Sequence, residues 1–234
     1  MGVSIDRRAP DVARLLRGPR IDVAGPMASG IDRTPLGRWE RAAKRATDVA
    51  IASAALLILA PVFLFAALGV ALESGRPIVF RQRRRGFAGR PFDILKFRSM
   101  NVQENGPIVP QAKKNDSRVT WFGALLRRTS IDELPQLVNV LKGEMSIVGP
   151  RPHAIAHDEH YARIIAPYAL RHHVKPGITG WAQVNGLRGA TEDVRIMEAR
   201  IARDLWYIDN WSYLLDLRIV VLTVSRVLLR ADAY

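Results

Sequence analysis

Between Asp48 and Glu73 the chain runs for 24 residues without a charge, VAIASAALLILAPVFLFAALGVAL. Such a run reads as a membrane segment. As one straight helix it would rise about 36 Å, enough for a hydrocarbon core of about 30 Å. Two features point to a turn instead. Arg33, Arg38, Arg41, Lys44 and Arg45 precede the run, and Arg76, Arg81, Arg83, Arg84, Arg85 and Arg90 follow it. A spanning helix would carry one of these clusters across, against the positive-inside bias. Pro61 stands at the centre of the run. It removes an amide donor and clashes with the carbonyl four residues back, so a kink is expected there. The charges favour a helix–break–helix over residues 39–75 that re-enters the leaflet it came from. The other reading of the same residues is a kinked transmembrane anchor.

At 234 residues the chain has room for one domain with appendages. With no cysteine it has no disulfide, no cysteine–zinc site and no thiol nucleophile. The net charge of +13 calls for anionic partners, and acidic membrane lipids account for much of it. Residues 1–38 are rich in Arg, Gly and Pro without sustained periodicity. They read as a flexible tail rather than a secretory signal. Residues 76–234 read as a cytoplasmic domain. There, 77–82 and 92–98 read as two strands joined by a turn at 86–89. A polar loop follows over 101–116, then helical patterns at about 121–128, 132–142, 154–170, 192–209 and 212–230. The Pro/Gly-rich stretch 175–180 interrupts them. Asp216, Thr223, Arg226 and Arg230 share one face of the last helix. Trp206, Tyr207, Trp211 and Tyr213 before it suit either an interfacial belt or a packed core.

The chemistry concentrates between 116 and 152. Ser130-Ile131-Asp132-Glu133 has the form of a helix capping box. Its adjacent carboxylates point about 100° apart on a helix, which rules out a glycosidase pair straddling a bond at about 5 Å or more. They could divide the labour, one attacking phosphorus and the other binding a metal. Gly149-Pro150-Arg151-Pro152 fixes a turn that presents Arg151, the side chain type suited to bidentate phosphate binding. Lys96, Arg98, Arg118, Arg127, Arg128 and Lys175 are further candidate phosphate ligands. His153, His157, His160, His172 and His173 lack zinc spacing and read as structural or surface. Neither a P-loop nor a dinucleotide fingerprint occurs. No basic helix with base-reading residues supports nucleic-acid binding.

Five stretches, KRATDVAIASAALLILAPVF, FDILKFRSM, DSRVTWFGALLRRTSIDELPQLVNVLKGEMSIVGPRP, HHVKPGITGWAQVNGLRG and DLWYIDNWSYLLDLRIVVLTV, together resemble the bacterial sugar transferases. These are monotopic polyprenol-phosphate phosphoglycosyl transferases, and the likeness covers roughly 40–231. The resemblance implies an α+β, mostly helical fold. Its parts are a re-entrant membrane hairpin, a small cytoplasmic catalytic domain with a short β-hairpin, and interfacial amphipathic helices. It implies Asp132 as nucleophile, Glu133 as partner of Mg2+, and Arg151 on substrate phosphate. The implied reaction moves a sugar 1-phosphate from a UDP-sugar to undecaprenyl phosphate on the cytoplasmic face of the bacterial inner membrane, as a first step of exopolysaccharide assembly. The stretch 183–189 looks most like the glucose-1-phosphate subgroup, with galactose left open. Two positions depart from the family pattern: Ala60-Pro61 where Ser-Pro is common, and Lys175 where arginine is frequent. A homodimer is compatible with the sequence, which shows no interface. The rival reading is a catalytically silent scaffold for glycan-assembly enzymes.

Overall fold

The computed structural model describes residues 36–101, 116–189 and 193–228. Most of the expected tail, most of the expected 101–116 loop, and Arg230 lie outside the described residues. The apolar run forms two helices, α1 (Arg38–Ile58) and α2 (Ala60–Ser74), whose axes bend by 64°. The break falls on Leu59 (φ −91°, ψ 8°), with Pro61 in the first turn of α2. The sequence points to Pro61 as the kink. The chain breaks two residues earlier because proline is accommodated in a helix's first turn, while its ring obstructs the turn before it. Gly37 opens α1, and Glu40 reaches back to its amide at 2.7 Å. Among the described residues no single helix is long and apolar enough to cross a membrane; the bent pair is, by length and composition.

Two strands follow, β1 (Val79–Arg85) and β2 (Pro91–Phe97). They pair antiparallel from Val79 opposite Phe97 to Arg85 opposite Pro91. The expected hairpin is there, with β1 extending to Arg85. The rest is α3 (Trp121–Thr129), a 3-10 turn at Ile131–Glu133, α4 (Gln136–Lys142), β3 (Ser146–Val148), α5 (Ile155–Ile164), a 3-10 stretch at Ala166–His173, β4 (Gly177–Thr179), α6 (Trp181–Val184), α7 (Val194–Asp209) and α8 (Tyr213–Leu228). The single helix expected at 132–142 is a 3-10 turn and a shorter helix, and that expected at 154–170 divides near Ile165. The parallel β3–β4 pair is not evident in the sequence, where it hides inside Gly/Pro-rich turns. Gly149 makes that pairing tolerable: a Cβ there would lie 2.4 Å from the Lys175 carbonyl oxygen.

The core does not stop at the hairpin. Ala52 of α1 is buried with Leu137, Val140, Val148 and Ile219. Ala66 and Val70 of α2 are buried with Phe97, Phe122 and Leu126. At Gly69 a Cβ would meet the Phe122 ring at 2.2 Å, so α2 and α3 touch only because that side chain is absent. The opposite hairpin face stays bare, with Leu57, Leu64, Phe65, Leu68 and Leu72 more than half exposed. Leu214 and Val221 of α8 are exposed as well. That distribution fits elements lying against hydrocarbon. The aromatic cluster divides: Tyr207 and Trp211 are buried core, Trp206 stacks on Trp181 at 5.0 Å, and Tyr213 is exposed.

Candidate active site

Thr120 caps α3 by accepting from the Gly123 amide at 3.0 Å. The helix ends at Ser130, whose left-handed backbone (φ 60°) turns the chain straight into the 3-10 turn carrying Asp132 and Glu133. Both carboxylates are buried. The capping box is overturned. Ser130 Oγ accepts instead from Arg188 Nη2 at 2.8 Å, and Glu133 turns its side chain away from Ser130 to meet cations from distant segments. Lys96 Nζ lies 2.8 Å from Glu133 Oε1, Arg151 Nη2 lies 2.5 Å from the same oxygen, and Arg151 Nη1 lies 3.2 Å from Oε2. Arg188 stands 3.8 Å from Oε2.

Each cation is held from behind. Asn139 on α4 accepts from the Leu95 amide at 3.0 Å and donates to the Asp93 carbonyl at 2.7 Å, fixing β2 so that Lys96 faces the turn. Arg171 donates to the Arg151 carbonyl at 2.6 Å and is itself paired with Asp204 at 2.8 Å. Arg84 donates to the Pro152 carbonyl. Together these grip the 149–152 turn from two sides. His153 is buried behind it with Nδ1 2.6 Å from the Tyr168 hydroxyl, a structural role as expected.

The electrostatics separate the two acids. Burial, reinforced by the neighbouring Glu133 charge, pushes the Asp132 carboxyl up to about 6. Burial also opposes ionisation of Glu133, yet Arg151 and Lys96 outweigh it and hold that carboxyl well below the usual range. Burial lowers Lys96 as well, with Glu133 pulling the other way. Among the described residues Asp132 accepts no hydrogen bond. One carboxylate is thus locked in an ion cage, while its neighbour keeps a raised value against the pull of Lys96, Arg127 and Arg151.

The remaining predicted ligands scatter. Arg98 donates to the carbonyls of Gly75 and Arg76 at 3.1 Å each, closing the end of α2. Arg118 is paired with Asp116 at 2.7 Å, which answers its charge locally. Arg127 stays near enough to favour ionised Asp132. Lys175 feels Arg45, Asp48 and Lys44 at the base of α1, and the structure does not bring it to the acid pair. Arg128 lines a cleft of about 500 Å³, which also takes in Leu59 and Val62 at the hairpin break and Ser130, Glu133 and Arg188 at the acid pair. Sequence reasoning missed Arg188 and Arg84. The glycines at 186 and 189 around Arg188 were the available signal, and Arg84 was indistinguishable from its basic neighbours.

The sequence model of the bacterial sugar transferases matches residues 39–230, which include every residue of this site. The chain belongs to the bacterial sugar transferase family. Among its relatives, the UDP-glucose:undecaprenyl-phosphate glucose-1-phosphate transferase of Escherichia coli K12 is 54% identical over 201 residues, covering 86% of this chain and 43% of that protein. The protein of the same name from Caulobacter vibrioides is 47% identical over 234 residues, covering 98% of this chain and 87% of that protein. The UDP-N-acetylgalactosamine-undecaprenyl-phosphate N-acetylgalactosaminephosphotransferase of Aeromonas hydrophila is 43% identical over 188 residues, covering 79% and 43%. This sugar transferase therefore spans less than half of some relatives and most of another.

Proposed function

We propose that this chain transfers glucose 1-phosphate from UDP-glucose to undecaprenyl phosphate and releases UMP, initiating exopolysaccharide or related glycan assembly. The observation that carries the reading is the split acid pair: Glu133 caged by Lys96 and Arg151, Asp132 ionised and unengaged beside it. In the first half-reaction an Asp132 carboxylate oxygen bonds to the sugar-linked phosphorus and the bond to the UMP oxygen breaks. In the second, an oxygen of the acceptor phosphate bonds to that phosphorus and the aspartyl oxygen leaves as carboxylate. Neither half needs a net proton, so the nucleophile needs no general base, only a carboxyl already ionised. Arg151, held against Glu133 through both terminal nitrogens, neutralises developing phosphate charge.

Glu133 fits a magnesium site of the kind that takes one or two carboxylates and completes its shell with substrate phosphate and water. A carboxylate has about four lone-pair sites, and three donor atoms of Lys96 and Arg151 meet this one. Magnesium held there would neutralise donor phosphate charge. The bent apolar pair with basic flanks supports a monotopic protein of the inner membrane, with the site on the cytoplasmic face.

The test is UMP release from a panel of UDP-sugars by detergent-purified protein with magnesium and undecaprenyl phosphate, beside Asp132→Asn. Release from UDP-glucose, abolished in the variant, is expected. Folded wild-type protein that releases UMP from no donor would favour the scaffold reading instead.

A further inference from the structure

The cleft beside Glu133 contains more positive charge than the acid pair uses. Arg188 is engaged with Ser130 and Glu133. Arg128, at the end of α3, and Arg226, in the last turns of α8, line the same cleft, and neither makes an ion pair or hydrogen bond among the described residues. Thr223 lines it one turn before Arg226, its hydroxyl 2.6 Å from that of Thr179 on β4, so α8 is tied to the cleft floor. The rest of the lining is largely aliphatic and includes Leu59 and Val62 at the hairpin break, with no aromatic ring among the described lining residues.

These features select a ligand. Two guanidinium groups suit a doubly charged phosphate monoester, which each can bind through paired N–H donors. An aliphatic wall without aromatic rings suits a branched hydrocarbon chain better than a nucleobase, which gains from stacking. The hairpin break supplies part of that wall, so a lipid could enter from the leaflet without its tail crossing water. The same helix that carries Arg226 exposes Leu214, Val221 and Val224.

We propose that Arg128 and Arg226 form a second phosphate station, which receives the phosphate of the lipid acceptor apart from the Lys96–Arg151 cage. This rests on the function proposed above. It assigns the two half-reactions to different cations: the cage serves the donor diphosphate, and the station delivers the acceptor oxygen to the phosphorus on Asp132. Because one site is vacated by UMP while the other holds the lipid, the substrates need not displace each other.

The test is steady-state kinetics of Arg128→Gln, Arg226→Gln and Arg226→Lys with both substrates varied, plus burst release of UMP without acceptor. Loss of a charge-assisted phosphate contact should raise the KM for undecaprenyl phosphate about tenfold to a hundredfold in each Gln variant. The KM for UDP-sugar and the burst amplitude should stay within about twofold, and Arg226→Lys should recover part of the loss, keeping charge but not the fork. Arg128 is exposed, so its replacement leaves the core untouched. A rise in the donor KM instead, or no change in either, overturns the station. So does equal competition by phosphatidylglycerol, which would make it a general headgroup site. Wild-type protein without UMP release would defeat the proposed function itself, an outcome distinct from all of these.

Discussion

Asp132→Asn should make the protein more stable while abolishing turnover. A carboxyl held at about 6 in the folded chain, against about 3.9 when unfolded, carries a penalty of about 3 kcal/mol once both states are ionised. Asp132 accepts no hydrogen bond among the described residues, so asparagine forfeits no partner. The neutral amide also removes repulsion from Glu133, the second cause of the shift. The gain should depend on pH. Above about pH 6 the folded state bears the whole penalty. As pH falls, the folded form takes up its proton first, and the penalty shrinks to about 1.5 kcal/mol near pH 5 and vanishes below the unfolded value. Pulse proteolysis in urea, with both proteins in the same micelles, measures the gap at about pH 7.5 and about pH 5. In parallel, wild-type kcat/KM for UDP-sugar should fall about tenfold per pH unit below about 6, as the nucleophile is lost. A variant no more stable than wild type at the higher pH, or a gap that ignores pH, would refute the argument that burial strains this carboxylate.

Arg151→Lys keeps a positive charge near Glu133 but cannot span both carboxylate oxygens; kcat/KM should drop by about a hundredfold or more with the fold intact, read by UMP release and circular dichroism. The chain has no cysteine, so single replacements at exposed Arg38 and Phe87 give clean topology probes; an impermeant thiol reagent should reach both from the cytoplasmic side of sealed vesicles, and labelling from opposite sides would eliminate the re-entrant hairpin.

What was legible in the sequence was what local pattern encodes. The β1–β2 pair, the helices near 121–129, 194–209 and 213–228, and the bend in the apolar run all follow from periodicity and punctuation. What was not legible depends on partners far along the chain. Glu133 had the spacing of a cap, and only Lys96, 37 residues back, and Arg151, 18 residues on, decide that it is not one. Arg98 and Arg118 looked no different from Arg151 as residue types. One closes the end of α2, one answers Asp116, and one reaches the acid pair, because the backbone positions them so. The β3 and β4 strands are three residues each, too short for an alternating pattern to register.

The bent helix pair is held to the segments around the acid pair by charge as well as by packing. On one face of α1, Lys44 pairs with Asp216 of α8 at 2.5 Å. Arg45 donates to the Val140 and Leu141 carbonyls at the C-terminal end of α4, where a helix favours a cation. Asp48 accepts from Ser146 Oγ and the Ile147 amide at 2.9 Å each, fastening β3. On the other arm, Gly69 lets α2 press on Phe122 of α3, the helix that ends at Ser130 beside Asp132. A change in the 64° bend would therefore act on α3 from one side and on α4, β3 and α8 from the other, and Asp132 lies in the turn between α3 and α4. The break itself supplies Leu59 and Val62 to the cleft wall. Straightening it would remove that wall while shifting Asp132, so the apolar helix pair is also a component of the candidate site.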